Sequence, residues 1–192
     1  MVKQPRHSAL FGGSFDPPHL GHRRIVEALL ALPEIDEVVV VPAWLNPFKS
    51  RSHAPAEKRL QWCRRVCGGP GVVVNDYEIR QGRPVRTWET LQALRREHPI
   101  DHLVVGADNL ATLRDWYRFD DLNREVSWIV VTRPGYAPDT SMLRRARLLP
   151  LEIPVSSTEI RRGQKREFLD PAIREEVEAL YPAPPSQRKE KL

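Results

Sequence analysis

The stretch SALFGGSFDPPHLGH, residues 8–22, leads from an apolar run into a helix-forming segment through two glycines and two prolines. The adjacent glycines let the backbone approach a ligand without a Cβ atom in the way. The prolines fix φ and lack amide hydrogens, so they suit the first positions of a helix, where amides have no partner within the helix. This stretch therefore predicts a strand, a loop that comes close to a ligand, and a helix that begins at about His19.

The same order of strand and helix repeats along the chain. Its apolar, β-branched runs are continuous rather than alternating, which is typical of parallel strands covered on both faces. The pattern predicts the α/β class, with a doubly wound, mostly parallel, Rossmann-like nucleotide-binding sheet and helices on both faces. We expect strands at residues 8–13, 37–43, 71–76, 102–108 and 127–135, and helices at residues 19–32, 56–67, 87–98, 112–124, 156–162 and 171–180.

The length of 192 residues predicts one domain over residues 1–183, followed by a basic, disordered tail at residues 184–192. In doubly wound folds, ligands bind beyond the carboxyl ends of the strands. We therefore expect the functional residues directly after the predicted strands, within residues 12–15, 42–49, 76–87, 106–109 and 132–135.

The formal net charge of +5 favours an anionic partner, but it does not choose among a nucleotide, a nucleic acid and a membrane surface. No apolar run approaches the roughly 20 residues that cross a bilayer, and the amino-terminal residues lack the apolar core of a secretory signal. We therefore expect a cytoplasmic protein without membrane contact. Cys63 and Cys67 lie on a predicted helix with no further metal ligand nearby, which predicts reduced, structural thiols.

His19 and His22 lie one turn apart at the start of the first predicted helix. The amides and the dipole of a helix N-terminus favour an anion, and two imidazole donors there suit a polyphosphate. One alternative is that Asp16 caps the helix and the histidines are exposed polar residues. A zinc pair is a second alternative, weakened by the lack of a third ligand, and the missing G-x-G-x-x-G fingerprint argues against a hydride-transferring enzyme.

The segment VSSTEIRRG, residues 155–163, offers a second helix start, and by itself its Ser156 and Glu159 fit a capping box. Together with GGSFDPPHLGH, however, it resembles the two signatures of the nucleotidyltransferase superfamily that carries an HxGH motif, and more narrowly the bacterial nicotinate-nucleotide adenylyltransferases. The first signature matches at GG, Ser, FDP and HxGH, and the SSTxIR signature matches in the second segment. The resemblance covers nearly the whole chain.

This resemblance implies a role for each matching residue. The catalytic residues, which act on the ATP phosphates, would be His19, His22 and Arg161. The ATP-binding residues would be Gly12, Gly13, Ser14, Phe15, Gly106, Asp108, Arg133, Ser156, Ser157 and Thr158. The residues that bind nicotinate mononucleotide would be Lys49, Thr87, Trp116 and Tyr117.

Some positions depart from the family pattern. Phe48 stands where many relatives have a histidine just before the basic residue, and Val85 and Arg86 replace part of the family's P-S-Y-T segment. A core position is the alternative for Trp116, because large aromatic side chains are mostly buried.

The implied reaction is transfer of AMP from ATP to nicotinate mononucleotide, which gives deamido-NAD and pyrophosphate in NAD biosynthesis. Mg²⁺ would be held by ATP, with no metal ligand from protein side chains. The expected partners are thus ATP and nicotinate mononucleotide, without nucleic acid, and homo-oligomerisation is left open.

Other functions stay open beside this one. Within the superfamily they are a nicotinamide-mononucleotide or dual-specificity adenylyltransferase and a phosphopantetheine adenylyltransferase; the Trp-Tyr pair and the TRPG segment disfavour the latter. A fragment of an aminoacyl-tRNA synthetase is disfavoured because the chain lacks a KMSKS-type partner motif. A non-catalytic nucleotide sensor is the alternative from a different class, and both histidines and Arg161 argue against it.

Overall fold

A computed structural model describes residues 7–48, 50–132 and 136–183. Its strands form one six-stranded sheet in the order β3-β2-β1-β4-β5-β6, and every pairing is parallel. The strands are β1 (Ser8–Gly13), β2 (Glu37–Pro42), β3 (Val72–Val74), β4 (Ile100–Gly106), β5 (Ser127–Thr132) and β6 (Ala146–Pro150). The helices are α1 (Leu20–Leu30), α2 (Ala56–Cys67), α3 (Tyr77–Gln81), α4 (Thr87–Leu94), α5 (Phe119–Glu125), α6 (Ser157–Arg161) and α7 (Arg174–Leu180), with 3₁₀ segments at Ala107–Asp115 and Arg166–Phe168.

Helices cover both faces of the sheet. Successive side chains of a strand point to opposite faces, so Val38 and Val40 of β2 pack into one core cluster and Val39 and Val41 into another. The first cluster includes side chains of α1, α2 and α7, and the second includes side chains of α4 and α5. The predicted α/β class and doubly wound parallel sheet are confirmed.

The strand order reverses between β1 and β4. From β1 the chain moves outward through β2 to β3, and then returns to add β4, β5 and β6 on the other side of β1. The connections that leave β1 and β4 therefore diverge onto opposite faces. This geometry opens a crevice at the carboxyl ends of these two strands.

Three details differ from the prediction. The single helix predicted at residues 112–124 is wrong, because Arg118 adopts a left-handed backbone conformation (φ 58°) between the first 3₁₀ segment and α5. Strand β6 and helix α3 were not predicted. The tail predicted at residues 184–192 and the last part of the run at 127–135 lie outside the described residues.

The two cysteines pack in the core as free thiols. Both lie buried on α2, and burial raises the pKa of the Cys67 thiol to about 12, so it is not a thiolate at neutral pH. Among the helices that the structure describes, none is long and apolar enough to cross a bilayer.

Candidate active site

A cleft of about 1150 Å³ lies at the carboxyl ends of β1 and β4. Most of the predicted site residues line it: Gly12, Gly13, Ser14, Phe15, His19, His22, Thr87, Gly106, Asp108, Trp116, Tyr117, Ser156 and Ser157. Thr158 and Arg161 do not line it, and Lys49 and Arg133 lie outside the described residues. The cleft thus brings together residues from both signatures and from the segments between them.

His19 and His22 form a stacked pair at the start of α1. Their ring centroids are 3.8 Å apart, and Phe15 packs edge-on against His22 at 4.9 Å. The amide of His19 donates a hydrogen bond to Nδ1 of His22 (3.1 Å), so the neutral His22 ring carries its proton on Nε2. The pair therefore presents an Nε2 donor of defined tautomer at the wall of the cleft.

Both imidazoles are neutral at pH 7. Burial lowers the pKa of His19 to about 4, with the Glu159 carboxylate acting in the opposite direction. Burial also lowers the pKa of His22 well below its ordinary value, and the neighbouring His19 lowers it further. An anion beside these rings would favour their charged forms and raise both pKa values.

Close packing requires a glycine at position 21, between the two histidines. A Cβ atom at Gly21 would lie 2.5 Å from Cγ2 of Ile153 and 2.9 Å from Nδ1 of His19. Only glycine lets α1 approach the segment before α6 this closely. The same buried Nδ1 of His19 makes no hydrogen bond within the described part of the chain.

The second signature contacts the first directly. Ser156 caps α6: the Glu159 amide donates to its hydroxyl (3.3 Å), and its own amide donates to the Glu159 carboxylate (2.8 Å), which confirms the capping box. The Ser157 hydroxyl donates to the carbonyl of Pro17 at 2.9 Å. The Arg161 guanidinium donates to the carbonyl of Asp16, so its hydrogen bonds hold the first loop in place.

Asp16 does not cap α1, because His19 is the N-cap residue; that alternative is wrong. Its buried carboxylate instead accepts hydrogen bonds from the amides of His53 (2.8 Å) and Ala54 (3.1 Å) and from the hydroxyl of Tyr181 (2.6 Å). Burial alone would raise the pKa of Asp16, but these hydrogen bonds hold it below its ordinary value. Asp16 therefore stays charged and ties the loop after β1 to two distant parts of the chain.

The far side of the cleft is lined by aromatic side chains. Trp116 lines the cleft and also packs, partly buried, against a core cluster. Tyr117 is exposed, and the Arg86 guanidinium lies 4.5 Å from the centre of its ring. Phe48 and Tyr136 add two more exposed aromatic rings to the cleft wall.

Two buried charged residues near the cleft were missed by the sequence analysis. Glu78 lines the cleft and accepts a hydrogen bond from the Thr90 hydroxyl (2.7 Å), and burial raises its pKa to about 7. Arg59 is completely buried on α2. One signal could have found Arg59: its position falls among the buried positions of an amphipathic helix, between Ala56 and Trp62.

The described residues contain no group of three or more His, Cys, Asp or Glu side chains arranged to hold a metal ion. Asp108, directly after β4, and Asp115 each place an exposed carboxylate at the cleft. This donor set fits a metal ion that is held mainly by the phosphates of a nucleotide.

Comparisons with known proteins agree with this geometry. Residues 10–163 match the cytidylyltransferase-like family. A probable nicotinate-nucleotide adenylyltransferase from Sulfurovum sp. is 44% identical over 93% of this chain and 96% of its own length. Another, from Nitratiruptor sp., is 39% identical over 90% of this chain and 97% of its own length.

The fold also resembles a solved structure. The nicotinic acid mononucleotide adenylyltransferase of Plasmodium falciparum, in complex with NaAD, superposes with a TM-score of 0.72 over 92% of this chain and 96% of that one, at 18% identity. The chain therefore belongs to the cytidylyltransferase-like family of nucleotidyltransferases and, within it, to the nicotinate-nucleotide adenylyltransferases.

Proposed function

We propose that this enzyme transfers AMP from ATP to nicotinate mononucleotide, which forms deamido-NAD and releases pyrophosphate. The observation that carries the proposal is the single cleft in which the stacked His19 and His22, the loop after β1 and the start of α6 meet. The residues between the two signatures complete its far wall. The names and folds of the relatives support the same reaction.

The chemistry needs no protein nucleophile. A phosphate oxygen of nicotinate mononucleotide attacks the α-phosphorus of ATP, the bond from that phosphorus to the bridging oxygen breaks, and pyrophosphate leaves. Catalysis is then positioning together with stabilisation of charge. We assign Nε2 of His22, with His19, to the oxygens of the α- and β-phosphates.

The remaining roles stay proposals of the same kind. The loop residues Gly12, Gly13, Ser14 and Phe15 would bind ATP, as would Gly106, Asp108, Arg133, Ser156, Ser157 and Thr158. Thr87, Trp116, Tyr117 and Lys49 would bind nicotinate mononucleotide. Arg161 would bind the β- and γ-phosphates while its guanidinium also holds the Asp16 carbonyl.

Mg²⁺ would be held by the ATP phosphates in the cleft that Asp108 and Asp115 line, and when bound it would neutralise charge on the phosphate oxygens. We also propose that the enzyme works in the cytoplasm without a nucleic-acid partner. The two buried free thiols support a reducing location.

The test is pyrophosphate release from ATP with three acceptors offered separately: nicotinate mononucleotide, nicotinamide mononucleotide and phosphopantetheine. We expect the highest kcat/KM with nicotinate mononucleotide. Equal kcat/KM values for the two pyridine nucleotides would overturn the acceptor assignment. A protein that binds ATP but releases no pyrophosphate with any acceptor would be a nucleotide sensor.

A further inference from the structure

Arg59 is a completely buried cation in the first turn of α2, although arginine is rarely fully buried unless it is paired. Its guanidinium donates to four backbone carbonyls: Nη1 to those of Ser14 (2.7 Å) and Ala43 (2.6 Å), Nη2 to that of Trp44 (2.7 Å), and Nε to that of Ala54 (3.2 Å). Burying a cation is costly unless its donors are satisfied, and here four of the five N–H donors of the guanidinium have carbonyl partners.

The four carbonyls belong to the loops beside the cleft. Ser14 follows β1, Ala43 and Trp44 follow β2, and Ala54 lies just before α2. One side chain therefore fixes the connections that leave two adjacent strands at their carboxyl ends. Asp16 holds the same segment before α2, because its carboxylate accepts hydrogen bonds from the amides of His53 and Ala54.

The hydrogen bond to Ser14 also sets the direction of the next amide. In a trans peptide unit the C=O and the following N–H point in opposite directions. Because Arg59 holds the Ser14 carbonyl on the buried side of the loop, the Phe15 amide hydrogen points away from Arg59. Ser14 and Phe15 both line the cleft, and no described residue accepts a hydrogen bond from the Phe15 amide.

The backbone at Phe15 is strained. Its φ of 46° lies in the left-handed region, which bulky side chains rarely adopt. Such a conformation persists only where the surrounding structure holds it, and it is common where a site needs a preset geometry. Two contacts hold the Phe15 backbone in this conformation. The Arg59 guanidinium binds the preceding carbonyl, that of Ser14, and the buried Phe15 ring packs against Phe11.

We propose that Arg59 is a positioning residue for adenylyl transfer: by holding the Ser14 carbonyl, it keeps the Phe15 amide aimed at a phosphate oxygen in the cleft. Backbone donors fixed in advance stabilise charge that develops in the transition state without reorganisation. This inference rests on the proposed function of the same cleft. It adds a residue of α2 that does not itself touch the nucleotide.

The first test compares Arg59→Lys with Arg64→Met, which removes an exposed arginine from the same helix. Lysine keeps the charge but cannot span four carbonyls with a rigid fork. We expect kcat of Arg59→Lys to fall on the order of 100-fold, as for loss of one fixed backbone donor. The KM for ATP should rise by a smaller factor than kcat falls, because the amide already binds a phosphate oxygen of bound ATP but binds the charge that develops in the transition state more strongly.

Arg64→Met should keep the kcat of the original protein. Thermal unfolding and circular dichroism establish that each variant is folded. A folded Arg59→Lys enzyme with unchanged kcat would overturn the proposal, and so would a loss confined to the KM for ATP.

A second measurement needs no variant. In the ¹⁵N-labelled original protein, the Phe15 amide resonance should shift downfield when a non-hydrolysable ATP analogue binds, as an amide does on gaining an anionic acceptor. An unshifted Phe15 resonance at saturating analogue would overturn the inference, even if the Arg59 variants fail to fold.

The two proposals fail separately. If the original protein releases no pyrophosphate, the proposed function is wrong. If it is active while Phe15 is unaffected by nucleotide, only the role of Arg59 is wrong.

Discussion

Histidines stand at both ends of the parallel sheet, and their partners differ. At the amino end, His7 and His102 bind the two carboxylate oxygens of Asp101 at 2.5 and 2.7 Å. There, too, His98 binds the Glu37 carboxylate at 2.8 Å. Each of these rings already has an anion beside it.

At the carboxyl end, His19 and His22 stack on each other, and no described carboxylate forms an ion pair with either ring. Burial keeps both rings neutral. Histidine is thus structural where it pairs with a carboxylate, as His53 also does with Asp16 at the carboxyl end, and available to a ligand where no described carboxylate pairs with its ring. The following predictions test this contrast.

The largest effect is expected at His22. His22→Ala removes the Nε2 donor from the cleft and should lower kcat about 1000-fold, within the range for loss of a positioned proton donor. Steady-state pyrophosphate release measures it. His102→Ala, at the amino end, is the control and should keep kcat within about twofold. Near-normal turnover by a folded His22→Ala enzyme would remove His22 from the catalytic residues.

Gly21→Ala tests how closely the histidine pair is packed. The new methyl group would collide with Ile153 and with the His19 ring, so we expect kcat to fall on the order of 100-fold and the free energy of unfolding to drop by about 2 kcal/mol. Urea denaturation and the activity assay measure the two effects. The matched control is Gly69→Ala, whose Cβ would meet nothing within 4 Å and should leave both quantities unchanged. If Gly21→Ala and Gly69→Ala had the same kcat and the same free energy of unfolding, α1 would accommodate the methyl group at no cost, and the close packing of the histidine pair would not be needed for activity.

Acid should lower the free energy of unfolding because His19 is buried in its neutral form. Its pKa is about 4 in the folded state against 6.5 for a free side chain, so between these values the unfolded chain binds a proton that the native protein does not. Stability is therefore lost as the pH falls from about 6.5 toward 4. Between pH 7.5 and 5, the original protein should lose about 2 kcal/mol more than His19→Asn, measured by urea denaturation. Parallel losses in the two proteins would place the His19 pKa near its ordinary value.

The smallest effect is expected at the amino end. His98→Gln weakens one partly buried pair with Glu37 and should cost about 1 kcal/mol of unfolding free energy, with kcat unchanged. The same two assays measure it. A clear loss of kcat in this variant would contradict the division of roles between the two ends of the sheet.

The central strands could be predicted from the sequence because burial on both faces requires continuous apolar runs. The edge strand β6 could not, since four of its five residues are exposed and its neighbourhood is rich in arginine. The helix predicted at residues 112–124 failed because the left-handed Arg118 interrupts it, and no glycine or asparagine marks that position. The sequence pattern therefore predicts strands that are buried on both faces. It does not predict an exposed edge strand or a helix break that depends on the backbone conformation of one residue.

In the candidate site, residues 12–15 and 106–108 could be predicted because loops after parallel strands converge at one edge, whereas Ser156 and Ser157 were implied only by the resemblance to the family. Arg161 was predicted only as a phosphate ligand, whereas its described bonds reach Asp16 and Thr158. Asp16 binds groups from distant segments, and Arg59 binds backbone carbonyls. Contacts of these two kinds leave no local pattern in the sequence. Contacts of that kind require the folded structure.

The bond between Asp16 and Tyr181 joins groups made at very different times on the ribosome. The carboxylate is synthesised early, and the hydroxyl that binds it follows 165 residues later. A nascent or truncated chain that ends before Tyr181 holds this aspartate with one partner missing, and a buried charge without its partners is destabilising. Tyr181, directly after α7, therefore supplies the third partner of Asp16 and stabilises the loop at the cleft only once nearly all of the described chain has been made.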